Sequence, residues 1–238
     1  MPTRLYSVVV DANDFTAQAG WWSRALDLPV AGQRDDEAWI QLPDGPELLF
    51  VPAPEPKTVK NRIHLDLASD SAQHQHDTVE RLLSLGATRA DIGQRDVPWV
   101  VLADPEGNEF CVLEPRESIA GTGAVAAIVL DTGDVEAQTV FWEQASGWTV
   151  KERQPWGSRL RAPHGRGPYL EPTKMGGTKT VKNRVHLDVA PLAGDDQEAE
   201  ADRLAGAGAR RIDIGQGDVS WIVMADPENG EFCVLTPR

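Results

Sequence analysis

Cysteine is almost absent, with only Cys111 and Cys233 in 238 residues. A structural disulfide between them would have to join equivalent points of two separate repeats. Few geometries permit that, so free thiols in a reducing compartment are expected. Basic residues are also scarce: 23 Lys and Arg stand against 37 Asp and Glu, a formal charge of −14. The deficit removes the basic footprint that a nucleic-acid binder would need. It also disfavours docking on an anionic membrane, while suiting solubility and offering attraction to a cationic ligand. No apolar run approaches the roughly 18 residues of a membrane helix. The opening Met1-Pro2-Thr3-Arg4-Leu5-Tyr6-Ser7 has no basic leader running into a long apolar stretch. A cytoplasmic protein with neither a nucleic-acid nor a membrane partner is expected.

What the chain has is itself, twice. Lys60-Asn61-Arg62-Ile63-His64-Leu65-Asp66 returns as Lys182-Asn183-Arg184-Val185-His186-Leu187-Asp188, 122 residues later. Ala103-Asp104-Pro105-Glu106 returns as Ala225-Asp226-Pro227-Glu228, and Glu109-Phe110-Cys111-Val112-Leu113 as Glu231-Phe232-Cys233-Val234-Leu235. The period is far longer than a solenoid repeat and is the length of a domain. The expected organisation is residues 1–117, a linker at 118–123 and residues 124–238.

Within copy one, a Val-rich strand over Tyr6–Asp11 leads to a helix capped by Asp14, with Phe15, Ala19, Trp22 and Leu26 at helical spacing. Strands at Ala38–Leu42 and Glu47–Val51 flank the turn Pro43-Asp44-Gly45-Pro46. The pattern restarts with a strand over Arg62–Leu67 and a helix begun by Asp70 or Ser71, with Gly86 as its stop. Strands at Thr88–Ile92, Trp99–Leu102 and Glu109–Leu113 follow, the last two joined by an Asp104–Asn108 turn. Copy two matches at a shift of 120 up to Trp142 and of 122 later, which places two extra residues in the connector Pro172–Lys179. Each copy is thus two βαβββ modules, an α+β arrangement. Its sheet, with helices on its outer face, leaves the other face free to curve around something.

Alternation assigns Ile63, Leu65 and Leu67 to the core, and Arg62, His64 and Asp66 to the helix-free face. Cys111 falls on that face too, as do Arg184, His186, Asp188 and Cys233 in copy two. The order βαβββ twice, the H-x-D strand and the closing D-P-E-G-N-E-F-C-V-L hairpin resemble the vicinal oxygen chelate superfamily. That superfamily includes glyoxalase I, extradiol dioxygenases, fosfomycin-resistance enzymes and bleomycin-binding proteins. The match covers nearly the whole chain and is closest to the glyoxalase-like branch with paired domains. It implies two tandem domains, each a curved, mostly antiparallel sheet.

In metal-using members four strand positions supply ligands. The resemblance places the fifth-strand position on His64 and His186, and the eighth, usually Glu, on Cys111 and Cys233. The first-strand position falls on Ser7 and Ala127, the fourth on Leu49 and Tyr169, with Glu47 or Glu171 reached only by another register. Three of the four ligands are therefore replaced in each copy. No cofactor is expected; a divalent Zn, Ni, Fe or Mn would enter through His64 or His186. A third ligand from Asp66 or Glu109 is disfavoured, because residues two apart on one strand converge poorly.

Each candidate residue carries two readings. His64 and His186 are hydrogen-bonded pocket residues or metal-free acid–base catalysts. Cys111 and Cys233 are inert packing or thiolates activated by a nearby cation. Arg62 and Arg184 bind an anionic group or blunt an edge strand. Trp22 and Trp142 belong to the core, whereas Trp99 and Trp221 line a cavity or pack on a neighbour. Trp39, Trp148 and Trp156 have no repeat partner and mark where two pockets would differ. The expected function is binding of a small organic molecule in the concave cavities without the usual metal. The alternative is lyase, isomerase or dioxygenase-type chemistry through His64 and His186. A two-domain monomer or a homodimer suits either.

Overall fold

The computed structural model describes residues 3–177 and 179–238; Met1, Pro2 and Thr178, which fall in the N-terminal and connector readings above, lie outside the described residues. Module one runs β1 (Thr3–Ala12), α1 (Phe15–Leu26), β2 (Val30–Gln33), β3 (Ala38–Gln41) and β4 (Glu47–Pro52). Module two runs β5 (Ile63–Leu67), α2 (Ala72–Ser84), β6 (Thr88–Arg89), β7 (Val100–Ala103) and β8 (Glu109–Val112). After a turn of 3-10 helix at Glu117–Ile119, module three runs β9 (Val125–Thr132), α3 (Val135–Ser146), β10 (Thr149–Gln154), β11 (Gly157–Arg161) and β12 (Tyr169–Lys174). Module four runs β13 (Val185–Pro191), α4 (Gln197–Gly206), β14 (Arg210–Arg211), β15 (Ile222–Ala225) and β16 (Glu231–Val234).

Local chemistry explains most of these boundaries. Asp14 and Asp134 cap α1 and α3 by accepting from Ala17 N–H at 2.9 Å and Ala137 N–H at 3.0 Å. Ser71, rather than Asp70, caps α2. Strand β2 went unread in the sequence because it is an edge strand with no buried face, so it leaves no alternation.

The modules pair across the two copies. The first sheet has the order β14-β15-β16-β13-β1-β4-β3-β2, and the second β10-β11-β12-β9-β5-β8-β7-β6. Each is therefore one module of copy one joined to one of copy two, through antiparallel β1·β13 or β5·β9. Parallel pairs flank each junction and antiparallel pairs complete the mixed, mostly antiparallel sheets. Their apolar faces share one core, in which Trp21 and Trp22 of α1 meet Phe110 of β8 edge-on.

The register relocates the two extra residues of copy two. Gln41 pairs with Glu47, and Arg161 with Tyr169. The insertion thus lies in the turn 162–168, not in the connector Pro172–Lys179. Consequently Glu47 matches Tyr169 and Leu49 matches Glu171. The two turns meet, and a Cβ on Gly167 (φ +76°) would fall 2.2 Å from the Asp44 carbonyl oxygen. Only glycine fits that approach.

Reciprocal polar contacts lock the sheets together. Glu106 accepts from the N–H groups of Asn13 at 2.8 Å and Asp14 at 2.9 Å, and pairs with Arg184 at 2.5 Å. Glu228 accepts from Gly133 and Asp134 N–H and pairs with Arg62 at 3.2 Å. Each closing turn thus caps the first helix of the other sheet.

Because β1 and β5 find their central partners only in copy two, residues 1–117 alone would expose two unpaired apolar edges. That fragment is predicted to assemble as a homodimer or aggregate in size-exclusion chromatography with light scattering. A stable folded monomer would refute this.

Candidate functional site

Strand alternation points His186 and Asp188 of β13, Cys233 of β16, Ser7 of β1 and Glu47 and Leu49 of β4 onto the concave face of the first sheet. They line a cavity of about 1230 Å³ together with Tyr6, Trp39, Trp221 and Arg238. The volume exceeds the usual ligand pocket of about 300–1,000 Å³. The excess arises because the cavity continues between the connectors Pro52–Arg62 and Met175–Arg184, among their described residues.

One row across this floor is Glu47, Ser7, Asp188 and Cys233, with His186 in the next row. The Ser7 hydroxyl donates to Asp188 Oδ2 at 3.0 Å. Asp188 Oδ1 is buried without a hydrogen-bond partner and lies 3.6 Å from His186 Nε2. Burial pushes the Asp188 carboxyl up, against the opposing pull of His186, Ser7 and Cys233. Burial, then the Asp188 carboxylate, drives the Cys233 thiol well above its ordinary range. Cys111 is raised for the same reasons by burial and Asp66. Both thiols are buried, which supports inert packing over an activated thiolate.

The second sheet repeats the triad as His64, Asp66 and Cys111, with His64 Nε2 at 3.4 Å from Asp66 Oδ1. Its cup, however, is occupied by the chain's own side chains. Arg159 of β11 is buried and donates from Nε to Glu171 Oε1 at 2.7 Å, with Glu152 at 3.2 Å. Its guanidinium lies 5.5 Å from the ring centroids of Trp156 and Tyr169. Ile119 of the inter-copy linker packs with Cys111 and Leu113, and Trp99 packs against them under Arg116. Trp99 thus serves packing, while Trp221, 40% exposed, faces the open cup. Trp22 and Trp142 are core residues.

Arg62 and Arg184, expected either to bind anions or to blunt an edge, do not stand on edge strands and are engaged by internal carboxylates. Their β-strand neighbours are central, and the guanidinium groups are paired with Glu228 and Glu106 and bonded to the carbonyls of Gly177 and Glu55. Sequence reasoning also missed the Arg159–Glu171 pair. An inward Arg and an inward Glu on consecutive strands are the signal, but placing the two-residue insertion too late aligned Glu171 with Val51 instead of Leu49.

His, Asp and Cys donor atoms lie within 4.8 Å of one another in both cups, so residues two apart do converge with the cysteine. Against the family's four ligand positions, the open cup offers Ser7, Leu49, His186 and Cys233. The second offers Ala127, Glu171, His64 and Cys111, with Glu171 already engaged by Arg159. The open cup thus has a hydroxyl and an apolar side chain at two of the four places, and the second an apolar side chain and a carboxylate held by arginine, so neither reproduces the family's ligand set.

The curved paired-module sheets define a vicinal oxygen chelate protein. The profile of the glyoxalase-like domain matches twice, over residues 7–113 and 127–235, and the chain belongs to that family. Glyoxalase 1 of Caenorhabditis elegans is 24% identical over 144 residues, 57% of this chain and 49% of that protein. The chain thus spans about half the length of the curated relative it matches. Glyoxalase I from Zea mays superimposes with a TM-score of 0.69 at 16% identity, covering 98% of this chain and 92% of that one. A putative dioxygenase from Bacillus subtilis gives 0.65 at 13% identity, covering 99% and 85%. These two structures share the fold.

Burial lifts the Glu171 carboxyl from 4.5 to about 7, although Arg159 opposes the shift. Between pH 4.5 and about 7 the native state therefore holds a proton that the unfolded chain has lost, Arg159 then donating to a neutral carboxyl that becomes its ion-pair partner above this range, and stability falls as the pH rises through it. Glu171→Gln removes that dependence. Relative to the variant, the wild type is predicted to lose about 3 kcal/mol across this window in urea melts, from about 1.4 kcal/mol per pH unit. Parallel stability profiles for the two proteins would refute the assignment.

Proposed function

We propose that this protein binds a small organic molecule in the first cup without the family's metal, and that the second cup is a structural counterpart. The observation that carries this reading is the contrast between homologous faces of one chain. One opens into a cavity of about 1230 Å³, and the other is filled by the Arg159–Glu171 pair and the linker. A concave, partly aromatic wall with a few inward polar groups is the usual build of a ligand site. His186, Asp188 and Ser7 supply those polar groups at its floor.

A thermal-shift screen with small organic molecules, followed by hydrogen exchange, tests the location. Hits are predicted to protect amides of β3, β4, β13 and β15, leaving β7, β8 and β11 unchanged. Protection confined to the second sheet, or equal on both, would overturn the reading.

Elemental analysis of protein purified without chelators tests the metal. Zn, Ni, Fe and Mn are each predicted at well below one equivalent. A stoichiometric metal that is lost on His186→Ala would sink the metal-free proposal and favour the enzyme alternative.

A further inference from the structure

The loop between β14 and β15, residues 212–221, lines the first cup, and the second sheet carries the same loop at residues 90–99. Both begin with the same turn, in which Asp91 Oδ1 accepts from Gly93 N–H at 2.9 Å and Asp213 Oδ1 from Gly215 N–H at 2.8 Å. Both end on the same anchor, the side-chain amide of Gln75 or Gln197 donating to the carbonyl of Pro98 or Ser220 at 3.0 Å. Between those ends they differ. Gln94 Oε1 accepts from the Trp99 indole N–H at 2.8 Å, and the ring packs down with Cys111, Leu113 and Ile119. Gln216 Oε1 accepts instead from the backbone N–H of Ile214 at 2.8 Å, and Ile214 and Trp221 each stand 40% exposed.

The backbone carries the same difference. In loop 90–99 the second left-handed residue is Asp96, at φ +56°. In loop 212–221 it stands one position earlier, at Gly217 with φ +70°, the counterpart of Arg95. Arginine disfavours that conformation and glycine adopts it freely, so loop 90–99 is held to the form in which Gln94 grips its tryptophan. Pro98 stiffens that loop further, where loop 212–221 has Ser220. Asp218, the counterpart of Asp96, can take the left-handed turn as Asp96 does, and Gly217 tolerates either sign of φ. The residues of loop 212–221 therefore admit both forms, and those of loop 90–99 only one.

We propose that loop 212–221 is a lid that closes over the ligand of the first cup, with Trp221 as the residue that meets it. On closing, the left-handed turn passes from Gly217 to Asp218. Gln216 Oε1 exchanges the Ile214 N–H for the Trp221 indole N–H, and the ring swings onto the floor toward Cys233 and Leu235. The second cup holds the closed form without a ligand because Ile119 of the linker supplies apolar surface beside its tryptophan. Around Cys233 and Leu235 the packed groups among the described residues are Ala190, Val223, Tyr6 and Ile212, with no linker residue, so a ligand completes the contact. Burial of the large indole surface drives the closure. The inference rests on the first cup being a binding site and adds the segment that closes it.

Fluorine NMR of protein labelled with 5-fluorotryptophan tests the lid. Trp221→Phe and Trp99→Phe assign the two signals, and the shift between H2O and D2O reads their exposure. Without ligand, Trp221 is expected to show a large solvent shift and Trp99 a small one. Gly217→Arg combined with Ser220→Pro, which gives the loop its sister's residues, should bring the Trp221 shift down toward that of Trp99. Saturating the wild type with N-phenyl-1-naphthylamine, a neutral fluorescent apolar probe, should do the same and leave Trp99 unchanged. Trp221→Ala should weaken the probe about tenfold or more. A Trp221 as exposed in the double variant as in the wild type would overturn the two-form loop. A bound probe that leaves Trp221 in solvent, or that binds Trp221→Ala as tightly as the wild type, would overturn the closure. If Trp39→Ala still abolishes probe binding in those cases, the cup stands as the site and only the lid falls. If the probe does not bind the wild type, the cup and its lid both fall.

Discussion

Everything in this molecule depends on two antiparallel junctions, β1 with β13 and β5 with β9. Each brings a strand of one copy against its counterpart in the other, so neither sheet closes within a single repeat. The polar contacts follow the same rule. Arg184 with Glu106 is mirrored by Arg62 with Glu228, and Lys182 with Asp11 by Lys60 with Asp131. Each contact occurs twice with the roles exchanged, the arrangement of an isologous dimer written into one chain. The carboxylates at its centre also satisfy helix-end N–H groups, so strand pairing and helix capping stand or fall together.

On that shared frame the two concave faces have separated. Their floors remain alike, with His, Asp and Cys at equivalent points. The walls differ: one carries a buried guanidinium on a carboxylate, the other Trp39 beside Leu49. A buried ion pair of this kind is weak as a source of net stability, although removing one partner is expensive. Its effect in the second cup is chiefly to fill space with groups that satisfy one another.

The fold was legible because its signals are local. Ile63, Leu65 and Leu67 alternate cleanly with Arg62, His64 and Asp66, and Asp14 announces its helix. The repeat supplied the rest of the element order. The inward placement of His64, His186 and both cysteines followed from the same alternation. Other features were not legible. Strand β2 has no buried face, and the length of the turn 162–168 can be compared with that of 42–46 only once strand partners are known. The arginines of the K-N-R motif leave anion binding and edge blunting equally open in the sequence, because their carboxylate partners, Glu228 and Glu106, lie 166 and 78 residues away. For the cysteines the sequence leaves inert packing and an activated thiolate both open, since it shows a neighbouring His but neither the burial nor the adjacent carboxylate that push the thiol up.

Duplication ordinarily frees one copy to drift, but cross-paired modules remove that freedom. A backbone change in either half is felt in both sheets, and the loss of one half would leave both incomplete. The apolar sides of the strands are held fixed by a common core. What remains more open to change is the inward-facing side chains of the walls, because the core shared by the two sheets does not rest on them. Trp39 against Arg159 and Gln41 against Arg161 are differences of this kind. Divergence in such a protein is therefore channelled into the concave surfaces, which change while the architecture stays as inherited.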